Sequence, residues 1–266
     1  MKTKILSILA LLLTVTQGAW AQTYSATFAT GSGDTGWTID PESGAAGTSV
    51  TVSYSGENKV KSVTVKAKPA TMAGLKAAIN NASDLTELNT EYLGKYVTAT
   101  GALQSTSTGA VGIITYMSKS AVDTDYSDSR IFVLALTDAS TGAKQYEKGD
   151  TQEATYTDRT ALNGHHATEH WHSWPSDFPA SEAARNYSAS RPSGASSWFL
   201  PSEGQWKLGG SVSNVMKQTL TANHHYWTST GNNGADNNGR VYDYTWGGIG
   251  SAQRISSYYV RSAFVY

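Results

Sequence analysis

The sequence predicts an α+β protein in which a small all-β unit (22–68) precedes a larger domain (95–266) of helices followed by short strands. Three observations carry this. Residues 24–68 are short β-branched runs parted by turn chemistry. Ile131 to Thr137 (Ile-Phe-Val-Leu-Ala-Leu-Thr) is an apolar run of strand length. Ser202-Glu203-Gly204-Gln205 is a capping box, with Ser202 placed to accept from the Gln205 amide while Gln205 reaches back.

Ahead of the β unit, residues 1–21 have the layout of a secretory signal. Lys2 and Lys4 supply the positive start, Ile5 to Val15 the apolar stretch, and Ala19-Trp20-Ala21 a cleavage site before Gln22. The expected product is exported, and periplasmic, cell-surface or extracellular. It carries no integral membrane segment, since no later run approaches about 18 uninterrupted apolar residues. Composition narrows the function further. With no cysteine, disulfide staples, thiol catalysis and thiolate metal sites are all excluded. A net charge of −1 without a basic stripe argues against a nucleic-acid partner. Eight Trp and fifteen Tyr supply a packed core.

Within the β unit, strands are expected at Ala26-Thr27-Phe28, Trp37-Thr38-Ile39, Ser49 to Tyr54 and Lys61 to Lys66. The turns between them are Gly31-Ser32-Gly33-Asp34, Asp40-Pro41-Glu42-Ser43-Gly44 and Ser55-Gly56-Glu57-Asn58. Val50, Val52 and Tyr54 alternate with Thr51 and Ser53, which gives one buried face. Pro69 ends this unit, and 69–94 reads as a helical connector. Thr71 caps a helix through Leu75 and Ile79, and Leu85, Leu88 and Tyr92 continue it.

In the larger domain, Tyr96 to Thr100, Val111 to Tyr116 and Ile131 to Thr137 are expected strands, the last one central. A first helix runs from Ser181, as cap, to Tyr187. The second starts at Ser202, breaks at Gly209-Gly210, and continues from Ser211 with Val212, Val215, Met216 and Leu220 on one face. Strands then follow at Tyr226 to Thr230, Arg240 to Trp246, Arg254 to Ser257 and Val260 to Tyr266.

Three segments in this domain share a pattern. They are Trp198-Phe199-Leu200-Pro201-Ser202-Glu203-Gly204-Gln205-Trp206, Tyr226-Trp227-Thr228-Ser229-Thr230, and Val260-Arg261-Ser262-Ala263-Phe264. Together they resemble the W-x-L-P-[ST]-x-x-[QE]-W … YW-[ST]-S-T … VR-x-x-F skeleton of bacterial C-type-lectin-like domains. That group is related to the formylglycine-generating-enzyme fold and includes proteins diversified by retroelements. The resemblance implies a C-type-lectin-like fold, two helices and a curled antiparallel sheet with strands from both ends of the domain. It also implies that Trp198, Trp206, Trp227, Val260 and Arg261 form the frame, while 232–259 supplies a variable recognition face.

The residues of 232–259 suit that role. Asn, Ser, Gly, Tyr and Asp dominate, a composition in which Tyr and Trp give contact area and the small polar residues adapt their hydrogen bonds. The candidate ligand-binding residues are Asn232, Asn233, Asp236, Asn237, Asn238, Tyr242, Tyr244, Trp246, Ser257 and Tyr258. A solvated Asn/Gly loop is the plainer reading of the same segment. A calcium-dependent sugar site is not expected. The segment has only the carboxylates Asp236 and Asp243, and Ca²⁺ takes six to eight oxygens. Asp123-x-Asp125-x-x-Asp128 is richer in oxygen, but it lacks a bidentate Glu and the turn Gly and reads as a polar surface hairpin.

His165-His166-x-x-Glu169-His170-Trp171-His172 is the other unusual cluster. His166 and His170 at i, i+4, with His172 nearby, have a spacing that could hold Zn²⁺. The flanks Asn163-Gly164 and Ser173-Trp174-Pro175 instead favour a surface loop, because Pro175 disfavours helix just before it. No His-Glu-x-x-His, Gly-x-Ser-x-Gly, P-loop or dinucleotide fingerprint is present. Formylglycine-type chemistry needs thiols that this chain lacks. The expected function is therefore non-enzymatic binding of a protein or glycan on another cell, a phage or a host surface, without a cofactor. A structural or adhesive cell-surface subunit is the alternative. A metal-dependent enzyme using the His cluster is the third.

Overall fold

A computed structural model describes residues 23–29, 37–40, 43–45, 51–54, 62–140, 144–147, 156–209, 214, 217, 219–232 and 237–266. The expected signal, Asn233, Asp236, and Val212, Val215 and Met216 of the second helix's continuation lie outside them. The structure mixes α and β, with few helices and antiparallel sheets. Its contacts divide the chain after Thr71 into two compact units.

In the first unit, β1 (Thr23–Ala29), β2 (Trp37–Asp40), β3 (Ser43–Ala45), β4 (Thr51–Tyr54) and β5 (Ser62–Lys68) form two small sheets. One has the order β3-β1-β5 and the other pairs β2 with β4. The segment Ser43–Ala45, read as turn from its Ser and Gly, is a strand against β1.

The second unit begins with α1 (Met72–Asn81) and α2 (Thr86–Tyr92). These helices correct the reading of 69–94 as a connector. Met72, Leu75, Ile79 and Tyr92 are buried in a cluster with Val97, Ile114, Val133, Trp198 and Phe264. Burial of a large apolar side chain contributes roughly 1.5–3 kcal/mol. The i, i+3, i+7 stripe of α1 therefore makes it a core helix.

A five-stranded sheet of order β15-β9-β8-β6-β7 forms the centre of this unit. Its strands are β6 (Tyr96–Thr98), β7 (Leu103–Gln104), β8 (Ala110–Met117), β9 (Ile131–Ala135) and β15 (Ala263–Val265). The last strand of the chain thus lies beside β9. Strand side chains alternate faces, so Ile131, Val133 and Ala135 meet α1 and α2. Phe132 and Leu134 meet Phe199, Trp206, Tyr226 and Tyr242 on the other side. Both faces are covered, which is why the run reads as continuously apolar.

The remaining elements are β10 (Lys144–Gln145), α3 (Gly164–Trp171), α4 (Pro179–Arg185), α5 (Glu203–Leu208), β11 (His225–Gly231), β12 (Asn238–Asp243), β13 (Gly248–Gln253) and β14 (Ser257–Tyr258). Strands β11, β12 and β13 form one sheet with β13 at an edge, and β10 pairs with β14. Two readings change here. Helix α4 starts at Pro179 rather than at a Ser181 cap, because proline is pre-set for the first helical turn, and Ser181 is buried inside the helix. Arg254 to Ser256 is a turn, and the strand is the Gly-rich segment before it.

Candidate functional site

Helix α5 sets the geometry of the site. Ser202 Oγ accepts from the Gln205 amide at 3.2 Å, and Gln205 Oε1 accepts from the Ser202 amide at 3.0 Å, so both halves of the capping box are made. Gly204 allows the close approach of the 160–161 backbone; a Cβ there would lie 2.5 Å from the Ala161 carbonyl oxygen. With the start of the helix held on both sides, Glu203, Trp206 and Lys207 line a cavity of about 410 Å³ together with Arg159, Arg240, Tyr242, Gly247, Gly248 and Ile249.

Strand β12 supplies the facing wall. Arg240 and Tyr242 share one face by the two-residue period, and Val241 turns to the opposite side against the Trp227 cluster. Tyr242 stacks on Trp206 with ring centroids 4.7 Å apart and planes at 12°. Tyr242 is buried, which corrects its assignment to an exposed recognition surface. The cause is Trp206, whose indole covers the phenol ring.

The β12–β13 hairpin closes the cavity. Asp243 Oδ1 accepts from the amides of Thr245 (2.7 Å) and Trp246 (3.4 Å), and the Gly247 amide donates to the Asp243 carbonyl. Gly247 takes φ +68°, which a side chain would oppose. Burial pushes the Asp243 carboxyl up, but hydrogen bonds from Thr245 and Trp246 and the nearby His225 outweigh it and hold it below the usual carboxylate range. The turn presents Trp246 to solvent, 68% exposed, with its ring packed over Gly248.

The other candidate ligand residues scatter. Asn232 is buried and accepts from Arg159 Nη2 at 2.9 Å, so it supports a cavity residue instead of facing outward. Asn237 is exposed, and Asn238 is half-buried in β12. Tyr244 is half-buried, with Lys217 Nζ 5.4 Å from its ring centre. Ser257 and Tyr258 are on β14, paired with β10, and the Tyr258 ring packs against Trp227. Trp198, Trp206 and Trp227 are buried, as are Val260 and Arg261, whose guanidinium pairs with Asp138 at 2.7 Å.

The histidine cluster is helix, not loop. Gly164 to Trp171 forms α3, and Trp171 stacks on Phe178 at 4.0 Å, so burial of the aromatic face overrides the nearby proline. His166, His170 and His172 do not converge on a metal position. His172 Nδ1 donates to Glu182, His166 Nδ1 donates to Asp125, and His170 packs among Tyr156, Trp171 and Trp174. Among the described residues, Asp123, Asp125 and His165 are the group whose ligand atoms approach one another, within 4.8 Å.

That group is the junction of a closed hydrogen-bond network. Asp123 accepts from the amides of Asp125 and His165 and from Gln205 Nε2, while burial pushes its carboxyl up. His165 Nδ1 donates to Asp125 at 2.7 Å, and Nε2 lies 2.8 Å from Ser197 Oγ. Asp125, His165 and Ser197 thus stand in the order of a nucleophilic triad. However, His165 Nε2 also lies 3.3 Å from the Tyr126 hydroxyl, and that hydroxyl takes the Ser197 amide. The Ser197 hydroxyl also lies 3.5 Å from Glu169 Oε1 and its carbonyl accepts from Ser196 Oγ, so the network clamps the 123–130 loop to α3. The Asp123–Asp128 segment is accordingly an inward anchor at Asp123, not a free surface hairpin.

No family model matches the sequence, and no curated protein matches it. Among solved structures, the fold is similar to a fimbrial protein from Bacteroides ovatus ATCC 8483, with 15% identity and a TM-score of 0.46. The match covers 65% of this chain and 48% of that one, so the chain spans about half the length of that protein.

Proposed function

We propose that the protein is an exported, non-enzymatic binding protein that uses a C-type-lectin-like scaffold to present a recognition face. Its ligand is a protein or glycan on another cell, a phage or a host surface. The observation that carries this reading is the exposed Trp246, held on a tight turn beside the α5 cavity. An indole fixed by its own hairpin loses little entropy on contact and offers a large apolar face with a polar edge. Beside it, Tyr244 and the partly open Lys207, which lines the cavity with Gly247 and Gly248, supply polar contacts. Retroelement diversification of 232–259 would act on this face while leaving the buried Trp206, Trp227 and Arg261 untouched.

The test is binding of the purified protein to a mixed glycan array and to whole bacterial cells, with Trp246→Ala beside it. The expected result is at least one reproducible ligand whose binding falls tenfold or more in the variant, at unchanged Tm. Undiminished binding of every ligand by Trp246→Ala would overturn the reading.

A further inference from the structure

The charges around the cavity do not balance. Arg159, Lys207 and Arg240 line it against one carboxylate, Glu203. Glu203 is 1% exposed and uses both oxygens internally: Oε1 takes Lys207 at 2.7 Å and Oε2 takes Arg240 Nε at 2.6 Å. Arg159 donates through Nη2 to the neutral Asn232. Lys217 adds a fourth cation, with its Nζ 3.7 Å from the Cβ position of the lining residue Gly247. The terminal guanidinium nitrogens of Arg240 have no acceptor among the described residues. The same wall holds two buried donors without a hydrogen-bond partner, Tyr242 OH and Trp206 Nε1. A buried donor left unpaired costs about 1–3 kcal/mol, and guanidinium groups pair best with planar or tetrahedral oxyanions.

We propose that the cavity is a subsite for the carboxylate or sulfate group of an acidic glycan, whose sugar ring rests on Trp246. This rests on the binding-face reading above and assigns its ligand chemistry. Arg159 and Arg240 receive the oxyanion, and Lys207 and Lys217 add the surrounding positive field. The exposed indole selects a ring-shaped apolar face over a flexible chain. Trp246 fits that role because Gly248 and Gly250 let its ring pack against the hairpin backbone.

The experiment titrates the full chain with four probes: oligogalacturonate, dextran sulfate, neutral dextran and polyglutamate. At least one of the two acidic glycans is expected to bind tenfold or more tighter than dextran and polyglutamate, and to weaken in 0.5 M salt by screening. The first two probes separate carboxylate from sulfate. Arg159→Gln with Lys207→Gln is expected to cost tenfold or more. Lys207→Glu, at a half-exposed position, repeats the test should the double variant melt early. Equal binding of polyglutamate would mean that charge alone is read and would overturn the glycan assignment. Binding of neutral ligands that depends on Trp246 but not on Arg159 or Lys207 would overturn the acidic subsite and leave the recognition face standing. Binding indifferent to both sets of variants would remove both.

Discussion

Gly204 shows how a single missing side chain holds the cavity together. Its hydrogen faces the carbonyl oxygens of Ala161 and Thr160, and a methyl group would lie 2.5 and 2.7 Å from them, respectively. Backbone cannot swing aside as a flexible side chain can, so Gly204→Ala is expected to destabilise by about 2–3 kcal/mol through overpacking. Calorimetry should register a fall in Tm on the order of 5–10 °C; an unchanged Tm would contradict the close approach. The glycine was visible in the sequence, inside Ser202-Glu203-Gly204-Gln205, but its reason was not. The chain that crowds it comes from residues 160–161, about forty positions upstream. Tyr242 and Asn232 misled for the same kind of reason. A Tyr or Asn in a polar segment reads as exposed until its cover, Trp206 or Arg159, is placed.

At the scale of elements, what the sequence revealed followed from locality. The capping box of α5 was legible because all its partners lie within four residues. Strand β9 was legible because burial on both faces leaves an unbroken apolar run. Helix α3 was not, since its stability comes from Trp171 on Phe178 and from histidines bonded to distant carboxylates. Strand β13 was hidden by its low-propensity Gly-Ile-Gly-Ser-Ala-Gln, and pairing with β12 makes it a strand. The β12–β13 hairpin is also where pH should act. The Asp243 carboxyl is held below its usual range, so its stabilisation is fully present above the ordinary aspartate value and is lost as pH falls through the folded value. Acidification below about pH 4 should therefore release the turn. The expected readout is a Trp246 fluorescence change, taken as the difference between the parent and Trp246→Phe, that Asp243→Asn displays already at neutral pH. A difference spectrum indifferent to both acid and Asp243→Asn would rule out this anchoring.

For the molecule as a whole, the division after Thr71 has a direct consequence for folding. Among the described residues, the apolar clusters are made of residues from Met72 onward, so the second unit contains a core of its own. Residues 72–266 expressed alone should melt cooperatively within about 3 °C of the corresponding transition of the longer chain, a small interval on the scale of 2–4 °C per kcal/mol for a domain of this size. A fragment that binds hydrophobic dyes and lacks near-ultraviolet circular dichroism would show instead that the first unit is needed for folding. Read as a sequence, 69–94 looked like a helical connector. Counting α1 and α2 as core moves the start of the foldable unit upstream by some twenty residues, which matters when a fragment is cut.

The β12–β13 turn has a further consequence. The amides of Thr245, Trp246 and Gly247 all donate to Asp243, so the turn is closed by its own residues and by the Asp243–Gly248 pair. Because those bonds use Asp243 and backbone amides, the side chains at Tyr244 and Thr245 can be exchanged with the pairs from Asn238–Gln253 to Asp243–Gly248 kept in register. The scaffold thereby offers a cysteine-free grafting position, suited to display in reducing compartments where disulfide-dependent binders fail.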